Sequence, residues 1–262
     1  MACLLVPTRP GTDVPYLADS PHYAIPNKDH ITIRQILSHR AGIFDVFNNP
    51  IPEGSEFPYA GDYYNNYVCT VLNEPDHQFT ADELIGVVAA NKLSTGEPGE
   101  TYHYSDTGYT LLAKIVERVS GMSYDRFLRE NFWGPLGLAQ TSAPWNGDDT
   151  ALPAPFMTGH VSLGAGFLDF MEDNMSSQVG PGNVTYALGI GNTILGMGHS
   201  GAHPGYVNLA IYNPDDDVSL VVAAPFIDYT KLNEHLAFML EVGKESRTIA
   251  GYPGVWTQRS ER

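Results

Sequence analysis

The spacing of hydrophobic side chains changes along the chain, and this change limits the folds that the sequence can adopt. In the first half apolar side chains recur at helical spacing, most clearly over residues 109–120. From residue 207 onwards, β-branched and apolar residues form two runs, 207–212 and 218–224, that are typical of an antiparallel hairpin. The pattern predicts an α+β chain with a mostly helical domain over residues 1–155 and a sheet domain over residues 156–262.

Two more helices are predicted from the residues at their first turns. Thr32 is followed three positions later by Gln35, and Thr80 is followed three positions later by Glu83. This is the capping-box pattern, in which each side chain bonds a backbone N–H near the other. The first of these helices is predicted over residues 33–40.

Three other segments carry weaker signals. Residues 186–194 are predicted to form a strand, apolar spacing predicts a helix over residues 232–243, and residues 48–66 are predicted to form a long surface loop. Aromatic side chains in and beside this loop could line a substrate cleft or pack the loop onto the body, and the sequence leaves both interpretations open. These aromatic residues are Phe57, Tyr59, Tyr63, Tyr64 and Tyr67.

The composition excludes several classes of function. The 262 residues include 14 lysines and arginines against 30 acidic residues, and the net charge of -16 repels nucleic acid and anionic lipid. No apolar run reaches the length of a membrane-spanning helix. Two cysteines, Cys3 and Cys69, are too few for a zinc site or a disulfide scaffold. We therefore expect no nucleic-acid partner and no membrane span.

The histidines do not indicate a metal site. His199 and His203 would share a metal ion on a helix, but their glycine-rich surroundings predict a strand, on which they would lie about 13 Å apart. His39 and His160 are interpreted as polar residues near a helix end and in a loop. We expect neither a metal ion nor a cofactor.

Three segments resemble motifs of one family of enzymes. They are residues 31–43 (ITIRQILSHRAGI), residues 98–109 (PGETYHYSDTGY) followed by residues 135–138 (PLGL), and residues 198–206 (GHSGAHPGY). Together they resemble the penicillin-recognising serine hydrolases, which include class C β-lactamases, D-alanyl-D-alanine carboxypeptidases and related esterases. The second segment is the most specific because of its length, and the resemblance covers nearly the whole chain.

The resemblance implies a fold and a reaction. The implied fold is of the β-lactamase/transpeptidase type, in which a helical domain packs on an antiparallel sheet flanked by helices. The implied reaction is acyl transfer, in which a serine attacks a carbonyl, a base takes the serine proton, and backbone N–H groups hold the oxyanion. The implied partner is a small molecule or peptide with a carbonyl, such as a D-alanyl peptide, a β-lactam or a small ester.

The resemblance also implies a set of site residues. Tyr104 corresponds to the tyrosine that relays the proton, and Asp106 corresponds to an asparagine that contacts the substrate or the motif lysine. His199 stands where other members have a lysine, which argues against a dedicated β-lactamase. A glycine at position 201 would let the substrate approach the backbone closely. The implied catalytic residues are Tyr104 and His199, and the implied substrate-binding residues are Asp106, Ser200, Gly201 and Ala202, the last through its backbone N–H in the oxyanion hole.

The nucleophile motif of the family is missing from these residues. The family's serine is followed three positions later by a lysine, and no serine of this sequence has one. In relatives that pair precedes the segment matching residues 31–43. We therefore expect the N-terminal strands and the nucleophile helix to be absent, because the chain is a fragment, has a misassigned start or is a silent relative. An uncovered sheet edge would then favour self-association.

The missing lysine also weakens the implied base. A tyrosine with a pKa of about 10 needs roughly 4 kcal/mol to ionise at neutral pH, and an ionised Asp106 would raise the pKa of Tyr104 further. We therefore expect negligible acyl transfer from this chain. Two alternatives stay open: an inactive relative that serves as a binding or scaffold protein, and a different hydrolase that uses Ser105 or Ser200.

Overall fold

The chain packs into two compact units, Met1–Pro153 and Ala154–Arg262. The structure is a computed structural model, and it describes residues 20–145, 154, 160–162, 186–187, 189–203, 205–254 and 256. Cys3 lies outside the described residues. The domain boundaries inferred from the sequence, at residues 155 and 156, remain a prediction.

Short helices with capped ends build the first unit, which we call the helical unit. Its helices are α1 (Ile33–Leu37), α2 (Tyr64–Asn66), α3 (Ala81–Ala90), α4 (Asp106–Ser120) and α5 (Tyr124–Leu128); π-helical turns continue α2 over Tyr67–Val71 and α5 over Arg129–Trp133, and 3-10 turns lie at Pro21–Tyr23 and Lys28–His30. Both predicted capping boxes are present, at Thr32 and at Thr80. The helix predicted over residues 109–120 is also present, and it begins three residues earlier, at Asp106.

The first helix is shorter than predicted. It ends at Leu37 rather than at residue 40, because the backbone of His39 adopts the left-handed conformation, with a φ of 55°. Gly42 follows with a φ of 68°, and its carbonyl accepts a hydrogen bond from the N–H of Thr95 at 3.0 Å. A Cβ atom at position 42 would stand 2.1 Å from the carbonyl oxygen of Gly96. The turn after α1 is therefore packed tightly against the segment that precedes α4.

The core of the helical unit lies between α3 and α4. α3 buries Leu84, Ile85 and Val88, and α4 buries Leu111 and Ile115. Burial of such side chains contributes about 25 cal/mol per Å² of apolar surface. This core holds the first turn of α4 in place.

The loop predicted over residues 48–66 is shorter than predicted, because α2 begins at Tyr64, and aromatic side chains in and beside it anchor it. Tyr59 is buried, and its ring contacts the ring of Tyr64 with centroids 5.1 Å apart. The hydroxyl of Tyr59 accepts a hydrogen bond from Asn91 Nδ2 at 3.1 Å, and the hydroxyl of Tyr64 donates one to Glu83 Oε1 at 2.9 Å. Of the two interpretations of this cluster, the structure supports packing of the loop onto α3.

The second unit, which we call the sheet unit, contains two sheets among its described residues. Its elements are β1 (His160–Ser162), β2 (Tyr186–Ala187), β3 (Ile190–Thr193), β4 (Gly196–His203), β5 (Tyr206–Asn213), β6 (Val218–Ala224), β7 (Phe226–Asp228) and α6 (Leu232–Ile249), with a 3-10 turn at Tyr229–Lys231. The larger sheet is antiparallel, with strand order β2-β3-β4-β5-β6, and β1 pairs with β7 in parallel. The predicted hairpin is confirmed as β5 and β6, with Asn213 paired to Val218.

Three predictions for the sheet unit need correction. The strand predicted over residues 186–194 is a pair of short antiparallel strands, β2 and β3, because the chain reverses between Ala187 and Ile190. The helix predicted over residues 232–243 extends six residues further, to Ile249. His160, which was placed in a loop, lies in β1.

α6 covers one face of the larger sheet. Val207, Leu209 and Ile211 of β5 are buried together with Met239 of α6, and the β5 side chains between them are exposed on the opposite face. β6 is the last strand in the order among the described residues, and Val221 on it is 71% exposed. Self-association through this edge remains a prediction. Within the described part of the chain, no helix combines the length and the apolar character needed to cross a membrane.

Candidate active site

Tyr104 lies just before the residue that caps α4. Ser105 is that cap: its Oγ accepts a hydrogen bond from the N–H of Gly108 at 3.2 Å and donates one to the carbonyl of Phe44 at 3.4 Å. Ser105 is buried, so its hydroxyl serves the helix cap, which argues against Ser105 as a nucleophile. Tyr104 itself is 37% exposed.

The segment 44–48 holds the first turn of α4 through two polar side chains. Asp45 Oδ2 accepts a hydrogen bond from the N–H of Asp106 at 3.2 Å, and Asp45 Oδ1 accepts one from the N–H of Phe47 at 3.1 Å. Asn48 Nδ2 donates to Asp45 Oδ2 at 2.8 Å and to Asp106 Oδ2 at 2.9 Å. The amide of Asn48 therefore bridges two carboxyl groups. Asp106 was expected from the sequence, whereas no local pattern marks its two partners, Asp45 and Asn48.

The surroundings of Asp45 disfavour the ionised form of its carboxyl group. Burial, and after it the charge of Asp106, raise the pKa of Asp45 from 3.8 to about 6, although hydrogen bonds from Asn48 and two backbone N–H groups act in the opposite direction. The pKa in the folded chain lies above the value of an unfolded chain. Ionisation of Asp45 therefore lowers the free energy of unfolding, and this loss grows as the pH rises from about 4 to about 6.

We expect Asp106→Asn to lower the pKa of Asp45 part of the way to its ordinary value. The substitution removes the neighbouring charge, leaves the burial of Asp45 unchanged and keeps an acceptor for Asn48. An NMR titration of the Asp45 carboxyl carbon measures the change. Asp82→Asn serves as the control, because Asp82 is not among the groups that shift Asp45. An unchanged Asp45 pKa in Asp106→Asn would show that the two carboxyl groups do not interact.

His39 lies near the end of α1, as the sequence predicts, and its side chain is buried. It is 3% exposed, and its Nδ1 accepts a hydrogen bond from the N–H of Ser105 at 3.1 Å. Its ring lies 4.3 Å from the ring of Tyr104, measured between centroids. The only signal in the sequence was its place within the motif at residues 31–43.

The segment from His199 to Ala202 lies in β4, so the strand predicted here from the sequence is confirmed. β4 pairs with β5 over most of its length, from Met197 to His203. On its other side, β4 pairs with β3 only from Gly196 to Gly198. Among the described residues, no strand lies beside the part of this edge that runs from His199 to His203. Backbone N–H and C=O groups on such an edge can bond a ligand.

Side chains of β4 are divided between the two faces of the sheet. His199 is exposed and pairs with Ala210, which places it on the face opposite α6; its Nδ1 contacts the carbonyl oxygen of Ser200. Gly201 pairs with Asn208, and a Cβ atom at position 201 would stand 2.6 Å from Asn208 Nδ2. The side-chain amide of Asn208 is therefore one reason for glycine at position 201, and close approach of a substrate there remains a prediction.

The two groups of site residues belong to different units. Tyr104 and Asp106 lie in the helical unit, and His199 lies in the sheet unit. Their convergence on one cleft remains a prediction. In the described ranges, no three histidine, cysteine or acidic side chains are grouped so that they could hold a metal ion.

Curated relatives match part of the chain. A penicillin-binding protein 4* of Bacillus subtilis (strain 168) is 32% identical over 113 residues, which are 42% of this chain and 21% of that protein. A putative D-alanyl-D-alanine carboxypeptidase of Escherichia coli (strain K12) is 32% identical over 128 residues, which are 49% of this chain and 25% of that protein. The chain thus spans a quarter or less of the length of these relatives.

One solved structure and one family model also match this chain. A D-stereospecific amidohydrolase from Streptomyces sp. superposes with a TM-score of 0.59 at 21% identity, over 76% of this chain and 69% of that one, so the two share a fold. Residues 14–162 match the model of the Beta-lactamase family. These findings confirm the predicted α+β fold of the β-lactamase type. The chain belongs to the Beta-lactamase family of serine hydrolases.

Proposed function

We propose that this chain supplies the proton-relay and substrate-strand parts of an acyl-transfer site. Tyr104 relays the proton, Asp106 contacts the substrate, and β4 presents the oxyanion donor. The part of the β4 edge from His199 to His203, beside which no strand lies among the described residues, carries the proposal, because an extended ligand can add to such an edge as a further strand. The residues assigned to β4 in the site are His199, Ser200, Gly201 and the backbone N–H of Ala202.

The same edge favours one substrate class. A ligand that pairs with a strand needs amide groups of its own, so D-alanyl peptides fit this edge better than small esters do. The names of two relatives, a penicillin-binding protein and a putative D-alanyl-D-alanine carboxypeptidase, support this choice. His199 in the place of a lysine argues against a dedicated β-lactamase.

No serine of this sequence is followed three positions later by a lysine, so the family's Ser-x-x-Lys pair does not occur in it. On its own, this polypeptide is therefore proposed to bind a D-alanyl peptide without forming an acyl-enzyme. The missing pair also favours the second candidate function, an inactive relative that binds or scaffolds. Neither candidate predicts acylation, and they differ in whether a D-alanyl ligand occupies Tyr104 and β4 together.

We expect N-acetyl-D-alanyl-D-alanine to bind non-covalently and to shift the NMR signals of both the Tyr104 ring and the amides of residues 199–203. The N-acetyl-L-alanyl-L-alanine isomer is the control and should leave these signals in place. A penicillin-type probe should add no mass to the intact protein, because no serine of the sequence is followed three positions later by the lysine that activates it in the family.

Each readout can contradict the proposal. Shifts at only one of the two places would show that Tyr104 and β4 do not form one site, and shifts at neither would leave only the scaffold function. A mass increase of one probe per chain, mapped to Ser200, would show that a different serine acts as the nucleophile. A penicillin-binding protein treated in parallel verifies that the probe is reactive.

A further inference from the structure

Three contacts join His39 to Tyr104 and its neighbours in sequence. The N–H of Ser105 donates a hydrogen bond to His39 Nδ1 at 3.1 Å. The N–H of His103 donates one to the carbonyl oxygen of His39 at 2.7 Å. The rings of His39 and Tyr104 lie 4.3 Å apart between centroids, with 32° between their planes. The residues on both sides of Tyr104 are thus bonded to one residue, which also contacts the tyrosine ring.

We propose that His39 is a positioning residue for Tyr104. It fixes the backbone before and after the tyrosine and packs against one side of its ring. This inference rests on the proposed function, in which Tyr104 relays the proton. A catalytic group must be held to within about 0.5 Å of its productive position, and an exposed side chain otherwise keeps much of its rotamer freedom. The contacts with His39 restrict that freedom.

The hydrogen bond from Ser105 defines the protonation state of His39. Nδ1 accepts an N–H, so it carries no proton of its own, and the imidazole is neutral with its proton on Nε2. His39 therefore contributes an acceptor and a packing surface. It is not an acid, a base or a cation in this arrangement.

The backbone of His39 belongs to the same arrangement. Its φ of 55° lies in the left-handed region, which few non-glycine residues adopt and in which asparagine, aspartate and histidine are enriched. Tyr109 ties α4 to the residues before this turn, since its hydroxyl donates to the carbonyl of Leu37 at 2.8 Å and its ring lies 5.0 Å from that of His39. Contacts with α1 and α4 thus fix the position of His39. The contacts of His39 in turn restrict the movement of Tyr104.

Two variants test separately the hydrogen-bond acceptor and the aromatic ring of His39. His39→Asn keeps an acceptor near the position of Nδ1 and tolerates the backbone conformation, but it removes the ring. His39→Phe keeps a ring and removes the acceptor. We expect His39→Asn to retain slow hydrogen exchange at the Ser105 N–H and to lose the ring-current shift of Tyr104. His39→Phe should speed that exchange roughly tenfold, as expected for the loss of one hydrogen bond, and should retain a ring-current shift.

The measurement uses the full chain with labelled tyrosine, and Tyr104→Phe identifies the Tyr104 signal. His30→Asn, at an exposed histidine, is the matched control and should change neither readout. Unchanged Tyr104 and Ser105 signals in both His39 variants would overturn the proposal. Unfolding of both variants, seen by circular dichroism, would assign His39 to the fold alone and would overturn it as well.

The proposed function is tested separately in the same spectra. If N-acetyl-D-alanyl-D-alanine shifts no Tyr104 signal in the unsubstituted chain, the proposed function is wrong, while the effects of the His39 variants on the free protein still decide the positioning role. If the ligand shifts Tyr104 and the His39 variants leave the free protein unchanged, the positioning role is wrong and the proposed function stands.

Discussion

Gly42→Ala should lower the free energy of unfolding of the helical unit by about 3 kcal/mol or more, and Gly121→Ala by only about 1 kcal/mol. The two glycines have nearly the same φ, 68° and 69°, so both place an alanine in the left-handed region and we expect a similar backbone strain. Their surroundings differ. A Cβ atom at position 42 would stand 2.1 Å from the carbonyl oxygen of Gly96, whereas nothing lies within 4 Å of one at position 121. The difference between the variants therefore measures the backbone clash.

Urea unfolding followed by circular dichroism measures both variants. Equal losses would show that the segment around Gly96 moves aside at little cost. Such a movement would also displace the turn that contains His39, three residues before Gly42. The Tyr104 ring signal in Gly42→Ala should therefore shift even where the variant remains folded, and in Gly121→Ala it should not.

Local signals in the sequence predicted the local structure. The capping boxes at Thr32 and Thr80 depend on residues three positions apart, and both are present. The β5–β6 hairpin depends on two apolar runs and the turn between them, and it is present too. The predicted helix ends were less accurate, because the end of α1 depends on the left-handed turn at His39, which is stabilised by packing against a distant segment.

Contacts between distant segments could not be predicted from pattern. Asp45 and Asp106 are 61 residues apart, and His39 and Ser105 are 66 residues apart. Histidine is intermediate among residues in how often it is buried, so the burial of His39 against Tyr104 has no local signature. The positions of Tyr104 and Asp106 came from a resemblance to family motifs, and the fold explains why such residues occur together: they form the start of a helix that the preceding loop holds.

Arg247→Ala should lower the free energy of unfolding of the sheet unit by about 3 kcal/mol, whereas Lys244→Ala, on the same helix, should change it by less than about 0.5 kcal/mol. Arg247 is 3% exposed; its guanidinium donates to the carboxylate of Asp216 in the β5–β6 turn and to the carbonyl of Leu195 at 3.4 Å. Lys244 pairs with Glu241 at 3.5 Å on the exposed side of α6. The two variants compare a buried with an exposed ion pair.

The expected loss is at the lower end for a buried pair because Asp216 is 34% exposed, so water partly replaces the arginine. Asp216→Asn should cost at least as much as Arg247→Ala, since it leaves the guanidinium, whose side chain is 2% exposed, buried without a counter-charge. Urea unfolding measures all three variants. Equal small losses at positions 247 and 244 would show that burial adds nothing to the stability contributed by the Arg247–Asp216 pair.

A weakened β5–β6 turn should also speed hydrogen exchange along residues 199–203, because β4 is paired with β5. Substitution of Arg247 on α6 should therefore be detected at β4, the strand of the candidate site.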